Sequence, residues 1–213
     1  MEGVQRIRGL AGSGKTVVLA LKAAYLHAQH PEWKIAVTFN TRSLKGQLRQ
    51  LINTFYIEQT SDEPDWDNIH IIHAWGAPGG GERNGIYYTF CGTHNIEYFD
   101  YISARNQFGS TDPFGEVCNK ALKEATNTKP LYDAILVDEA QDFSPAFLRL
   151  CYEMLREPKR LVYAYDELQN LRLQSLPSPE EIFGIDDNGV PKVKFSPSED
   201  GQPEQDIILE KVL

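Results

Sequence analysis

The chain has 213 residues and a formal net charge of −9, and its length and composition predict one globular domain with a single substantial core. Residues 175–213 hold nine acids and three bases, so the acidity is concentrated there and does not exclude a local basic surface for nucleic acid. Three widely spaced cysteines argue against disulfides, and the lack of a signal peptide or a roughly 20-residue apolar run predicts a cytoplasmic chain without membrane segments.

Strand and helix patterns alternate through the first part of the chain. Val4 begins a short strand that enters a glycine-rich turn, and residues 15–28 predict a helix that is apolar on nearly all sides. KIAVTF, residues 34–39, predicts a second strand, and residues 43–55 predict a helix with its leucines on one face. Helices of these kinds usually cover a sheet.

Four more apolar segments predict strands, at residues 69–72, 134–137, 161–164 and 206–209. Because strands alternate with helices and are continuously apolar, we predict an α/β fold with a mainly parallel central sheet. Residues 76–130 show no clean periodicity and predict a small insertion on the sheet. Residues 175–205, rich in Pro, Ser, Asp and Gly, predict a loop or connector.

The strongest motif is GLAGSGKT, residues 9–16, which matches the G-x-x-x-x-G-K-[ST] pattern of a P-loop. Its glycines let backbone N–H groups curl around phosphate oxygens, and the following helix N-terminus adds a favourable dipole. We expect Lys15 on the outer phosphates and Thr16 on Mg²⁺. The alternative is a turn that only caps a helix. The predicted nucleotide-binding residues are Gly9, Ala11, Gly12, Ser13, Gly14, Lys15 and Thr16.

Acidic side chains follow the strand at residues 134–137 in the segment LVDEAQDF. A P-loop requires an acid at the end of a neighbouring strand to hold Mg²⁺, and Asp138 follows the apolar run at that position. Glu139 is next and is placed to polarise a water for attack on the γ-phosphate. Without the P-loop, a solvated strand end would be the better interpretation.

Polar residues also follow the strand at residues 161–164, in the segment YAYDELQNL. Asp166 and Gln169 lie just beyond its carboxyl end, where ligands bind in open α/β sheets. Gln169 is a candidate to sense the γ-phosphate through a hydrogen bond. A solvent-facing turn is an equally good interpretation of these residues.

GLAGSGKT, TFNTRSL, HAW, ILVDEAQD and YDELQ occur in this order, and together they resemble the first RecA-like domain of UvrD/Rep-like superfamily 1 DNA helicases. VDEAQD is the most discriminating of these motifs. The resemblance implies a three-layer, RecA-like P-loop NTPase fold that binds ATP and Mg²⁺. It also implies that Glu139 is the catalytic base, with Lys15 on phosphate, and that Gln141 and Gln169 couple the γ-phosphate to the rest of the motor.

Nucleic-acid contacts are implied at two further motifs. The first covers residues 38–42, where Asn40, Thr41 and Arg42 follow a strand, and the second places His73 and Trp75 after the next strand. Arg42, Lys45 and Arg49 recur at helical spacing, as expected for a basic stripe that tracks the phosphates of a single strand. The alternatives are the solvated side of an amphipathic helix for the stripe and a core position for the Trp.

We therefore expect an ATP-binding N-terminal motor domain of an ATP-dependent helicase or translocase, monomeric, acting on single-stranded DNA. A nucleotide-switched regulatory module that binds a protein partner is the alternative. A zinc site at His70, His73, Cys91 and His94 is disfavoured, because three-residue spacing on a strand places the two strand histidines on opposite faces.

Three departures from the helicase pattern stand out. Gln5 lies inside the first strand, too close to the P-loop to serve as the adenine-reading glutamine, and Tyr165 replaces a glycine before Asp166. A second RecA-like domain with arginine fingers is missing from the 213 residues. The expectation is a fragment of a longer helicase that binds ATP weakly and hydrolyses it very slowly, since arginine fingers contribute about 10³- to 10⁵-fold in rate.

Overall fold

The computed structural model describes residues 2–167, 177–186, 188–195 and 205–210. In this part of the chain a six-stranded sheet has the order β3-β2-β4-β5-β1-β6, and every neighbouring pair of strands is parallel. The strands are β1 Gln5–Gly9, β2 Ile35–Phe39, β3 Ile69–His73, β4 Tyr132–Val137, β5 Leu155–Asp166 and β6 Asp206–Leu209. The predicted α/β class and parallel sheet are therefore confirmed.

Helices cover both faces of this sheet. They are α1 Lys15–Gln29, α2 Leu44–Thr60, α3 Ile86–His94, α4 Tyr101–Phe108, α5 Pro113–Glu124, α6 Pro145–Glu153 and α7 Pro179–Phe183. On one face, α1 and α2 pack against the sheet, and α2 buries Leu48, Ile52 and Tyr56 at four-residue spacing. The other face is covered chiefly by α3, α5, α6 and α7, which gives three layers.

The region predicted as an insertion, residues 76–130, contains three of these helices and contributes directly to the core. Phe90 of α3 and Val117 of α5 are fully buried in the same cluster as Phe147 of α6. The side chain of Asp112 caps α5 by accepting a hydrogen bond from the Gly115 N–H at 3.0 Å. Helices α3 and α4 have little apolar periodicity, which explains why the sequence pattern does not predict them. Helix α5 is amphipathic and begins after Asp112 with a proline at its first position, so its signal was present in the sequence and was missed.

Strand β5 begins at Leu155, six residues before the predicted start at residue 161. Its first part, LREPKR, contains four charged residues and therefore lacks the apolar run that predicts a strand. The register between β4 and β5 also shifts between Tyr132 and Ala134. Within the predicted connector, Ser178 forms a capping box with Glu181 at the start of the short helix α7.

None of the three cysteines forms a disulfide, as predicted, and all three are buried. Burial raises the pKa of Cys91 to about 11, so its thiol stays protonated at neutral pH. None of the helices in the described part of the chain combines the length and apolarity needed to cross a bilayer.

Candidate functional site

The glycine-rich loop connects β1 to α1 at the carboxyl edge of the sheet. Gly12 and Gly14 have φ angles of 75° and 86°, in the left-handed region that favours glycine. A β-carbon at Gly9 would lie 2.6 Å from the Leu209 carbonyl oxygen and 2.8 Å from Ser13 Oγ. The loop conformation thus depends on these three glycines, while Ala11 is exposed at the tip.

Lys15 is the first residue of α1 and is buried, with 6% of its surface exposed. Its ammonium donates hydrogen bonds to the carbonyl oxygens of Gly9 at 3.1 Å and Leu10 at 2.8 Å. The charge therefore lies within the curve of the loop. Because an α-helix leaves its first N–H groups without intrahelical acceptors, the positive end of α1 is directed at the same place.

Thr16 and Asp138 join the glycine-rich loop to the end of β4, although they are 122 positions apart. The Thr16 hydroxyl donates to Asp138 Oδ2 at 2.8 Å, and the Glu139 N–H donates to Asp138 Oδ1 at 3.0 Å. Asp138 is fully buried, and burial raises the pKa of its carboxyl group, opposed by the hydrogen bond from Thr16. A hydroxyl and a carboxylate are oxygen ligands of the type that Mg²⁺ prefers.

Glu139 follows with a positive φ of 50°, which turns the chain away from the strand. The Gln141 side chain donates from Nε2 to Glu139 Oε2, and its Oε1 accepts from the Asp166 N–H at 3.1 Å. Gln141 therefore bridges the ends of β4 and β5. The glutamine of the VDEAQD motif thus connects the acids Asp138 and Glu139 to β5.

Asp166 ends β5 opposite Gly9 of β1 and is 2% exposed. Tyr165, the residue that departs from the helicase pattern, continues β5 in regular parallel register opposite Arg8. Gln169 lies outside the described residues, because the description stops at residue 167 and resumes at residue 177.

The residues after β2 and β3 also meet at this edge. His73 contacts the Asn40 carbonyl oxygen through Nε2 at 2.6 Å, and the Trp75 N–H donates to His73 Nδ1 at 3.1 Å. Since Nδ1 accepts, the proton lies on Nε2 and the ring is neutral. Burial lowers the pKa of His73, in agreement with a neutral ring. The Asn40 side chain in turn hydrogen bonds Asp142, three residues after Glu139.

Trp75 belongs to an aromatic cluster. Its ring stacks on Phe114 with centroids 4.7 Å apart, and its indole N–H donates to the Phe99 carbonyl oxygen at 2.8 Å. Tyr87 and Tyr101 also pack against it in edge-to-face arrangements, with ring centroids 6.4 and 5.9 Å from that of Trp75. Half-buried in this way, Trp75 has at most one face free for a nucleic-acid base.

A groove of about 490 Å³, called the α2 groove below, lies beside His73 at the start of α2. Its lining residues are Phe39, Arg42, Lys45, His73, Gly76, Ala77, Glu82 and Arg83. Arg42 and His73 were predicted at a nucleic-acid site, whereas Thr41 is exposed nearby and Trp75 lies outside the lining. Arg49, the third member of the basic stripe, places its guanidinium 4.1 Å from the Trp66 ring centroid.

Sequence reasoning missed Glu82 and Arg83, although the segment GAPGGGERNG carries both within a recognisable glycine-rich loop. Among the described residues no set of three or more His, Cys, Asp or Glu side chains is placed to hold a metal ion. A cation at Thr16 and Asp138 would therefore complete its coordination with water or phosphate oxygens.

The chain has no match among models of known protein families. It also has no significant match among curated proteins. Its function is therefore inferred from the glycine-rich loop, the strand ends and the α2 groove.

Proposed function

We propose that the chain is the ATP-binding motor domain of an ATP-dependent helicase or translocase that acts on single-stranded DNA. The observation that carries the proposal is the 2.8 Å hydrogen bond between Thr16 and Asp138, which joins the glycine-rich loop to the acids after β4. A P-loop NTPase needs these two groups together, because the hydroxyl and the carboxylate would hold the Mg²⁺ that accompanies the nucleotide.

Lys15 and the helix N-terminus supply the positive charge for the phosphates. The Lys15 ammonium bonds two loop carbonyl oxygens, and a bound triphosphate offers stronger, charged acceptors in the same curve. Magnesium, when bound with ATP, neutralises charge that develops on the transferred phosphoryl group. Asp138 is then favoured as a carboxylate, because a nearby cation opposes the effect of burial on its pKa.

Glu139 is the proposed general base that orients and deprotonates the attacking water. It lies next to Asp138, and its carboxylate is held by Gln141, so its position is coupled to the end of β5. Through the Asp166 N–H, Gln141 links the base to the end of β5, three positions before Gln169 in the sequence. Loss of the γ-phosphate is thereby transmitted to the strand ends, and a second RecA-like domain is proposed to complete hydrolysis.

The proposed nucleic-acid site lies at the neighbouring strand ends. Asn40 contacts both His73 and Asp142, so the residues after β2 are connected to the residues after Glu139. Arg42 lines the α2 groove and is exposed, as a phosphate contact has to be. The ATP site and the nucleic-acid site are thus linked through side chains at one edge of the sheet.

Lys15→Ala tests the nucleotide site. We expect Mg-ATP to raise the thermal unfolding temperature of the wild-type chain and to have no effect on Lys15→Ala, because the buried ammonium is lost from the phosphate site. Lys34→Ala is the control, since Lys34 is exposed and precedes β2 at its amino end, whereas the glycine-rich loop lies at the carboxyl ends of the strands. Equal stabilisation of wild type and Lys15→Ala by Mg-ATP would refute the proposal.

Binding of a fluorescent single-stranded oligonucleotide, with and without Mg-ATP, separates the motor from a nucleotide-switched module that binds only a protein. The motor proposal requires oligonucleotide binding that changes with nucleotide. A chain that binds Mg-ATP but no oligonucleotide at low salt would favour the regulatory alternative.

A further inference from the structure

The loop at residues 76–85, called the glycine loop below, projects over the start of α2. Its neck is narrow, because the Ala77 N–H donates to the Arg83 carbonyl oxygen at 2.7 Å and a β-carbon at Gly85 would lie 2.3 Å from the Gly76 Cα. Three consecutive glycines at the tip, residues 79–81, have φ angles of 117°, 67° and 56°. This left-handed run places the next residue, Glu82, against α2.

Glu82 forms an ion pair with Lys45 of α2. The Glu82 side chain is 84% exposed and the Lys45 side chain 27% exposed, so the pair lies at the open side of the α2 groove. The hydrogen bond from Lys45 holds the pKa of Glu82 below its ordinary value, and the charge of Arg49 acts in the same direction. A carboxylate thus lies where a basic stripe was predicted to bind phosphate.

Apart from Glu82, the charged residues that line the α2 groove are cations and favour a bound anion. Arg42, Lys45 and Arg83 are cations, and Glu82 is the one acid among the lining residues. Their arrangement suits a chain of phosphates, which carries one negative charge per nucleotide. The Glu82 carboxylate is paired with the Lys45 ammonium, which would otherwise be available to contact a phosphate.

We propose that Glu82 is an internal competitor for nucleic-acid phosphate in the α2 groove, and that single-stranded DNA displaces it from Lys45. The proposal rests on the proposed nucleic-acid function of the chain. Exposed ion pairs are weak, so a phosphate can replace the carboxylate without unfolding the loop. The competition weakens binding to any single strand, and displacement moves the glycine loop when the groove is filled.

Glu82→Gln removes the competing charge while preserving the shape of the side chain. We expect this variant to bind a fluorescent single-stranded oligonucleotide about two- to fivefold more tightly than wild type, as the loss of a weak exposed pair implies. Glu97→Gln is the matched control, because Glu97 is also exposed and also lies near a lysine, Lys120, at 3.9 Å. Its affinity should equal that of wild type.

A double-mutant cycle with Lys45→Ala distinguishes competition from a general effect of charge. If Glu82 acts by covering Lys45, then Glu82→Gln has no effect on affinity in the Lys45→Ala background. An equal gain in both backgrounds would show a long-range charge effect and overturn the proposal.

The pKa of Glu82 gives a second, direct readout by ¹³C NMR titration of its carboxyl group. We expect its pKa to rise when saturating oligonucleotide replaces the contact with Lys45, and an unchanged pKa would overturn the proposal. Binding by wild type without any effect of Glu82→Gln would refute the competition alone. Absence of oligonucleotide binding by both wild type and Glu82→Gln would refute the nucleic-acid function as well.

Discussion

Asp138 combines full burial with a charge that the proposed chemistry requires. Burial raises the pKa of its carboxyl group, and only the Thr16 hydroxyl, the Glu139 N–H and the charge of Lys15 oppose this effect. A buried carboxylate of this kind lowers the free energy of unfolding of the protein without nucleotide, and it gains a partner when a cation binds. Perturbed carboxyl groups of this kind are frequent at functional sites.

Asp138→Asn is expected to stabilise the chain against unfolding at pH 7 in the absence of Mg-ATP. Because the pKa of Asp138 is higher in the folded state, the folded chain binds more protons between the two pKa values, and the free energy of unfolding falls as pH rises through that window. Asn removes this titration and keeps an acceptor for the Glu139 N–H. Denaturant unfolding from pH 4 to 8 should show a gain over wild type that shrinks toward acid pH.

The same variant should lose Mg-dependent ATP binding, because an amide is a poor ligand for Mg²⁺ compared with a carboxylate. Calorimetry with and without Mg²⁺ measures this loss. Reduced stability of Asp138→Asn at pH 7, together with unchanged Mg-ATP binding, would contradict the role given to Asp138.

In a protein that contains the proposed second RecA-like domain, Glu139→Gln should leave Mg-ATP affinity near that of wild type and reduce hydrolysis by about 10²- to 10⁴-fold, the usual contribution of a general base. Gln still accepts a hydrogen bond from Gln141 but takes up no proton from water. Single-turnover phosphate release measures the rate, and Glu32→Gln, an exposed acid before β2, is the control. Equal rates for wild type and Glu139→Gln would exclude Glu139 as the base.

At the scale of elements, the backbone of the glycine-rich loop determines where α1 begins. Gly14 has a φ of 86° and precedes the first residue of α1, so the loop reaches the helix through a left-handed turn. The helix then directs its N–H groups and Lys15 into the curve of the loop. A residue with a β-carbon at Gly14 strains this turn even though the space around it is open.

Gly14→Ala is expected to lower the free energy of unfolding by about 1–2 kcal/mol, the cost of a left-handed conformation for a residue with a β-carbon, and to weaken Mg-ATP binding. Gly92→Ala is the matched control, because Gly92 lies within α3, has an ordinary φ and has open space around it. Gly92→Ala should raise the free energy of unfolding by about 0.5–1 kcal/mol, because Ala is favoured over Gly within a helix. Denaturant unfolding of both variants measures the contrast, and equal effects would contradict it.

At the scale of the whole molecule, the strand order brings distant segments to one edge. β1 lies between β5 and β6, while β4 lies between β2 and β5, so the polar residues after β1, β2, β4 and β5 converge. The β6 edge is held to β1 by Asp206, which accepts from Arg6 at 2.6 and 2.9 Å and from Arg8 at 3.0 Å. The chain as a whole carries a net charge of −9, so the cluster of cations in the α2 groove is a local departure from its overall acidity.

Arg42→Ala tests this local charge. We expect weaker binding of a single-stranded oligonucleotide, and a plot of log affinity against log salt whose slope is reduced by about 0.7, the value for one lost phosphate contact. Arg156→Ala is the control, because Arg156 pairs with Asp133 near the amino ends of β5 and β4, away from the carboxyl ends where the α2 groove lies. A salt slope identical to that of wild type would remove Arg42 from the phosphate contacts.

The sequence predicted the elements with strong local patterns. The runs at residues 34–39 and 69–72 lie within one residue of β2 and β3, and the run at residues 134–137 lies within two residues of β4. The helix predicted at residues 15–28 matches α1. Helices α3 to α6 were not predicted. Helices α3 and α4 have weak apolar periodicity, whereas α5 and α6 are amphipathic and begin with Asp-Pro and Ser-Pro signals that were missed. The start of β5 was missed because charged residues interrupt its apolar pattern.

Tertiary structure decided which of these polar ends touch. Glycine spacing and the acids after an apolar run were visible in the sequence, because they depend on neighbours in the chain. The contacts of Thr16 with Asp138, of Gln141 with Asp166 and of Lys45 with Glu82 depend instead on strand order and loop conformation. Local patterns record only which residues are buried or turned, whereas a contact between distant residues needs the whole sheet to bring them within hydrogen-bonding distance.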